Sequence, residues 1–245
     1  MCGIVGIISG QDVPQRVFDG LKRLEYRGYD SAGIAIISNG TLISRRAEGK
    51  LEALRHRLDA KPFEGTIGIG HTRWATHGPA TKANAHPHRG ERVAVVHNGI
   101  IENYKELKDQ LLADGVSFLS DTDTEVIAHL FSQNLGQGDD VHDAARKTFS
   151  ALQGAFAVAL IIDGNEDQII VARRGSPLAL GYGEGEMFLG SDAFALAPFT
   201  NRVSYLADGD LAIMTRDGAE VFDLAADAPV QRPIETVDAA AAMVD

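Results

Sequence analysis

The sequence predicts an α+β fold layered around antiparallel sheets, and three observations carry that expectation. Short apolar, β-branched runs recur along its 245 residues, each of strand length. Turn dipeptides separate many of them: Asn39-Gly40, Asp163-Gly164, Asp208-Gly209 and Asp217-Gly218. Helix-period segments come in blocks instead of alternating with every strand, which favours antiparallel layers over a parallel sheet. The length suits one large domain or two small ones, with a substantial core.

The elements follow in order. Gly3 to Ile8 is an apolar run and reads as a buried strand that anchors the N-terminus. Pro14 to Glu25 carries Val17, Phe18, Leu21 and Leu24 at helical spacing, with proline suited to the first turn. A glycine-punctuated loop, Tyr26 to Gly33, leads to a strand at Gly33 to Ile37. Asn39-Gly40 turns it into a second strand, Thr41 to Arg46. Leu51 to Leu58 reads as a short helix, Thr66 to His71 as an alternating strand, and Val93 to His97 as a buried strand ending at Asn98-Gly99. Asn103 with Glu106, and Thr122 with Glu125, fit capping boxes that open two helices. A third helix runs from about Val141 to Leu152. Strands are expected at Ala155 to Ile162, Gln168 to Ala172, Met187 to Leu189, Val203 to Leu206, Leu211 to Thr215 and Val221 to Leu224. From Ala225 the chain turns rich in alanine, aspartate and proline. The domain is therefore placed at 1–225, with 226–245 as a tail or the start of a linker.

Composition narrows the function. Lys plus Arg number 23 against 34 for Asp plus Glu, a net charge of −11, which opposes binding nucleic acid through its phosphates. It fits an enzyme acting on a small substrate. No basic region followed by an apolar stretch and cleavage site opens the chain, and no apolar run spans a bilayer, so neither secretion nor a membrane is expected. A single cysteine excludes an internal disulfide and suits a reducing, cytoplasmic setting.

That cysteine is Cys2, directly behind Met1. Removing Met1 leaves a thiol and a free α-amine on one residue. The thiolate is the reactive form, and the α-amine, with a pKa near ~8, is a usable base near neutrality. The plainer reading is a small hydrophobe at a strand start. Three segments expected as loops after strands hold dense polar residues: Arg73, Trp74, Thr76 and His77; His97, Asn98 and Gly99; Asp121, Thr122 and Asp123. Arg73 can fork a carboxylate and Asp123 can hold an ammonium, so the pair suits a free α-amino acid. Asn98 and the Gly99 N–H can donate to a developing oxyanion. Taken singly, each has a plainer reading as a surface ion pair, a turn asparagine or a helix-entry aspartate. A rival metal site on His86 and His88 with His71 or His97 has spacing but no carboxylates grouped with it, so no metal and no cofactor is expected. Gly181 to Gly185 is a glycine loop whose Glu184 and neighbouring Glu186 would repel phosphate, which makes it a hairpin tip.

Together these motifs resemble a known family. Cys2-Gly3-Ile4-Val5-Gly6 is similar to the opening of the class II glutamine amidotransferases, which are N-terminal nucleophile hydrolases. Arg27 to Gly33, His71 to Gly78, His97 to Asn103 and Ser120 to Glu125 resemble the glucosamine-6-phosphate synthase branch of that family. The resemblance implies a four-layer αββα sandwich with two mainly antiparallel sheets. It also implies hydrolysis of L-glutamine through a thioester on Cys2, with the Cys2 α-amine as base and Asn98 and Gly99 as oxyanion hole. It places Arg73 and Asp123 on the α-carboxylate and α-amine, Trp74, Thr76 and His77 in a closing loop, and Arg27 and Gly28 beside the thiol. It further implies a sugar-phosphate isomerase part beyond this chain, in a full-length protein expected as a homodimer. A non-catalytic domain that binds glutamine and regulates a partner is the alternative.

Overall fold

The computed structural model describes residues 2–75 and 78–237. Strand β1 (Gly3–Ser9) is buried throughout, as its apolar run demands. Helix α1 (Pro14–Arg23) starts on its proline and buries Val17, Phe18 and Leu21, with Lys22 and Arg23 in the last turn where the helix dipole favours cations. Strands β2 (Ser31–Ser38) and β3 (Thr41–Glu48) form the expected hairpin. Asn39 and Gly40 close it at φ of 50° and 74°, the left-handed geometry this turn requires. Helix α2 (Leu51–Ala60) and strands β4 (Ile67–Arg73), β5 (His88–Arg89) and β6 (Val93–Ile101) follow.

The three helices α3 (Tyr104–Ala113), α4 (Glu125–Gly136) and α5 (Val141–Ala151) come as a block. Neither expected capping box forms. Asn103 and Thr124 occupy the N-caps of α3 and α4 without a side-chain cap bond. The Asn103 amide instead ties to Gln153 N and Ala151 O, at 2.9 Å each. Glu125 accepts from Leu119 N at 2.9 Å and Ser120 N at 2.7 Å, so its carboxylate closes the loop before α4 and not the helix end. Of these three, only α5 has a side-chain cap bond at its N-terminus, Asp140 accepting from Asp143 N at 2.8 Å.

The remainder is β7 (Gly154–Ile162), β8 (Ile169–Arg174), β9 (Ala179–Tyr182), β10 (Glu186–Gly190), the single turn α6 (Ala193–Leu196), β11 (Arg202–Tyr205), β12 (Asp210–Met214), β13 (Ala219–Asp223), β14 (Ala228–Val230) and β15 (Glu235–Thr236). Gly181 and Tyr182 belong to β9, so the hairpin tip shortens to the residues between β9 and β10, closed by Gly183 N to Glu186 O at 3.0 Å. The described part of the expected tail is tied to the fold. β14 pairs with β13, β15 pairs with β11, and Arg232 grips the buried carboxylate of Asp210 at 2.7 Å and 2.8 Å. Residues 238–245 lie outside the described residues.

The strands make an eight-stranded sheet, β15-β11-β9-β10-β1-β4-β2-β3, and a seven-stranded sheet, β14-β13-β12-β8-β7-β6-β5. The pairings are antiparallel, and three apolar clusters define the layers. One packs α1, α2 and α6 on the outer face of the first sheet; one packs α3, α4 and α5 on the outer face of the second; one fills the space between the sheets. The chain is thus the αββα sandwich that the resemblance implied.

The inner layer positions the polar residues. Ile8 and Ile4 of β1, Ile67 and Ile69 of β4, and Ala94 and Val96 of β6 all point into it. Side chains alternate along a strand with period two, so the next positions on those faces are Cys2, His71 with Arg73, and Asn98. Antiparallel pairing of β1 with β4 (Ile4↔His71, Gly3↔Thr72) brings Cys2 beside the end of β4.

Candidate active site

Of the three segments expected as loops, one lies in a strand and another begins at a strand's last residue. Arg73 ends β4, and His97, Asn98 and Gly99 lie inside β6, paired with Val158, Ala157 and Phe156 of β7. The strand stays regular up to Gly99, where φ is +131° and an added Cβ would stand 2.0 Å from Ala155 O. Only glycine fits there, and the local twist presents its backbone to the cleft that holds Cys2.

The Cys2 thiol rests against the Trp74 backbone. Trp74 N–H donates to Sγ at 3.2 Å, and the thiol faces Trp74 O at 3.5 Å. Residues 73–75 are pinned there from behind. An added Cβ on Gly28 would meet Arg73 C at 2.6 Å, so only glycine permits the Arg27-Gly28 segment to lie so close. Asp30 N donates to Arg73 O at 3.2 Å, and the Asp30 carboxylate accepts from Ala75 N. Burial pushes the Cys2 thiol pKa above its usual value, the Trp74 N–H only partly offsetting it. The resting group near neutrality is therefore the thiol, and the thiolate must be made by a base.

Asn98 is held at both ends of its amide. Nδ2 donates to Cys2 O at 3.0 Å, and Oδ1 lies 2.9 Å from His71 Nε2, which also contacts His97 O at 3.1 Å. Cys2, Asn98, Gly99, Trp74 and Arg27 line one cleft of about 260 Å³ together with Ile100, Ser176 and Pro177. Arg27 is held at its rim by an ion pair with Asp192. On the other side of Cys2, a narrow pocket of about 30 Å³ is lined by Arg73, Asp123, Thr122, Thr124, His86 and His97. Its Arg73 guanidinium donates to Gly78 O and Pro79 O at 3.2 Å each, and its Asp123 carboxylate accepts from Ile101 N at 2.8 Å.

The structure therefore brings Cys2, Arg27, Arg73, Trp74, Asn98, Gly99 and Asp123 to two adjoining cavities that meet at the thiol. Gly28 stands behind this wall and lines neither. Thr76 and His77 lie outside the described residues. Residues that sequence reading missed as part of the site are Asp30, Ser176, Pro177, Thr124 and the structural use of His71. Continuing the alternation of β4 one step past Ile69 would have found His71.

The four histidines of the rival reading do gather, and one nitrogen of each meets a hydroxyl or amide partner. His86 Nε2 and His97 Nδ1 both lie 3.0 Å from Thr124 Oγ1, and His88 Nε2 lies 3.1 Å from Thr122 Oγ1. His71 stacks on His86 at 4.1 Å. Among the described residues no group of three or more His, Cys, Asp or Glu is arranged to hold a metal ion. Burial lowers the pKa of His71 and His88 to about 3 and that of His86 well below its usual value, so these rings are neutral near pH 7. Burial would raise Glu125, but His129, Ser120 and two backbone N–H groups hold its carboxyl down at about 2. No helix among the described residues is long and apolar enough to cross a membrane.

Residues 37–216 match the family model for the glutamine amidotransferase domain. The chain is similar to the glutamine–fructose-6-phosphate aminotransferase (isomerizing) of Mesorhizobium japonicum, 58% identical over 91% of this chain and 37% of the relative. It is 55% identical to the Rhizobium meliloti enzyme of that name over 100% of this chain, Cys2 included, and 40% of the relative. The chain thus spans about two fifths of these relatives' length. Among solved structures it resembles the glutamine phosphoribosylpyrophosphate amidotransferase of B. subtilis, with a TM-score of 0.78 at 27% identity, over 91% of this chain and 49% of that one.

Proposed function

Because the chain belongs to the glutamine amidotransferase domain family, we propose that it hydrolyses the side-chain amide of L-glutamine at Cys2. The observation that carries this reading is the convergence of the thiol, the clamped Asn98 amide and the Gly99 backbone in one cleft. With Met1 removed, the Cys2 α-amine takes the thiol proton as Sγ attacks the amide carbon. A base is required because burial keeps Sγ protonated. Charge then develops on the amide oxygen, where Asn98 Nδ2–H and Gly99 N–H are the donors. Collapse breaks the C–N bond, and the amine returns its proton to the departing ammonia. The resulting γ-glutamyl thioester is cleaved by water, with the same amine as base, giving glutamate and the free thiol.

Arg73 and Asp123 are the proposed holders of the α-carboxylate and α-amine, supported by their place in the narrow pocket next to the thiol. To take the carboxylate, Arg73 must exchange the Gly78 and Pro79 carbonyls for it. Trp74, Thr76 and His77 are proposed to belong to the segment that closes over glutamine. The catalytic domain is proposed to extend over 1–225, with the chain beyond pairing onto its sheets through β14 and β15 before leading onward. In a longer protein like the matched relatives, a second part would spend the ammonia on fructose 6-phosphate. A thiol nucleophile suits the reducing cytoplasm.

The test is glutamate release measured together with intact mass. Protein beginning at Cys2 should release glutamate and ammonia. A folded chain that retains Met1 should be nearly inactive, since its Cys2 nitrogen is an amide with no basic lone pair. Full activity with Met1 retained would refute the amine mechanism. No glutamate from the processed chain would refute the reading itself.

A further inference from the structure

His71 is fully buried in the inner layer, and the chemistry above makes no use of it. Its surroundings allow one protonation pattern. The Asn98 nitrogen faces Cys2 O, an acceptor, so the other end of that amide, the end that meets His71, is the carbonyl oxygen Oδ1. The second atom that Nε2 meets is His97 O, also an acceptor. Nε2 must therefore carry the hydrogen. Nδ1 is buried with no hydrogen-bond partner, so a proton there would be a stranded donor. We propose that His71 is a positioning residue for the amide hydrolysis proposed above: as the neutral Nε2–H tautomer it holds Asn98 Oδ1, and so aims Asn98 Nδ2 at the oxyanion.

The inference rests on that hydrolysis reading and adds a role to it. An asparagine amide turns readily about its last bond, and its two ends have nearly the same shape. With His71 as donor, the turned amide would set a nitrogen against Nε2–H, donor against donor. Cys2 O takes one hydrogen of Nδ2, which leaves the second for substrate. Burial supports the neutral form, holding the ring uncharged down to a pKa of about 3. A purely packing role is the competitor, since the ring also stacks on His86 at an interplanar angle of 28°.

His71→Phe keeps a flat stacked ring and removes the donor. It should lower kcat by roughly 10- to 100-fold with KM within about threefold, because the amide matters most once charge is on the oxygen. His71→Gln restores an N–H at similar reach and should recover part of the loss. The Asn98→Ala, His71→Phe double variant should be no slower than Asn98→Ala alone, since His71 acts only through that amide. Alkylation of Cys2 by iodoacetamide should proceed at the wild-type rate in His71→Phe. An unchanged kcat in folded His71→Phe, or losses that multiply in the double variant, would overturn the proposal. Should His71→Phe not fold, nitrogen NMR of the wild-type imidazole decides it: the Nε2–H tautomer at pH 5 to 8 supports positioning, and the Nδ1–H tautomer defeats it. That measurement stands even if wild-type protein releases no glutamate, which would count against the hydrolysis alone.

Discussion

The space between the two sheets has an apolar end and a polar end, built on the same faces of the same strands. At one end Ile8, Ile67, Ile69, Ala94 and Val96 pack without a polar atom. At the other, one or two steps along, stand Cys2, His71, Arg73 and Asn98. No change of backbone direction separates them in β4, and β6 departs only at Gly99. The apolar end sets register, because a one-residue slip would turn every isoleucine out of the layer. The polar end inherits that register without contributing to it. Its buried rings and amides are instead held by specific bonds to Thr122, Thr124 and backbone carbonyls, with one nitrogen of His71 and of His86 left without a hydrogen-bond partner. Substitutions at the polar end should therefore change chemistry and acid response, and substitutions at the apolar end only stability.

The largest test removes the nucleophile. Cys2→Ala should abolish glutamate release while leaving glutamine binding by calorimetry largely intact, because the thiol is needed for the covalent step alone. Residual turnover above background would break the division between the two ends.

Acid should find the polar end first. His71, His86 and His88 are neutral when folded and take up protons once unfolded. The unfolded state therefore binds more protons below about pH 6.5, and stability falls as pH drops from there toward about 3. Each such ring contributes up to about 1.4 kcal/mol per pH unit. Glu125 acts lower: its depressed carboxyl stabilises the fold above about pH 4.5 and loses that contribution as pH falls toward about 2. Urea midpoints from pH 8 to 4 should decline from about pH 6. A flat profile down to pH 5 would show that the rings are not held neutral.

Asn98→Ala should lower kcat by roughly 10²–10³ with a smaller change in KM, as expected for a donor used when charge sits on the oxygen. A change confined to KM would place Asn98 on the ground-state substrate. The smallest effect belongs to the apolar end. Ile69→Val should cost about 0.5–1.5 kcal/mol in urea unfolding and leave kcat unaltered, although Ile69 is only two residues from His71. A kcat that falls with it would mean that packing at Ile69 also sets the position of His71.

Strand faces and hairpins were readable because they rest on local rules: alternation, β-branching and turn dipeptides. The capping boxes failed because the same residues serve other ties here, Asn103 a distant one to Gln153 and Glu125 a local one to the loop at Ser120. β9 and β14 were missed because they are three or four residues long and gain their strand state from neighbours. Cys2, Asn98 and Arg73 were legible as chemistry, yet two of their segments were taken for loops, since dense polar residues resemble a surface until an inner cavity is known. Asp30 lies within the Arg27 to Gly33 motif, but nothing in the sequence points to its use. Its use depends on the Arg73 backbone 43 positions onward, which only the folded sheet supplies.

The thiol's seat against the Trp74 backbone also bears on how long the protein stays usable in air. Peroxide oxidises thiolate, and susceptibility follows thiolate character and exposure. Burial raises the Cys2 thiol pKa and partly covers the sulfur, so slow formation of sulfenic acid is expected while no substrate is bound. The price is dependence on a base for every turnover. The benefit expected is a cysteine that stays reduced between turnovers, and these 245 residues hold no second thiol that could resolve a sulfenic acid.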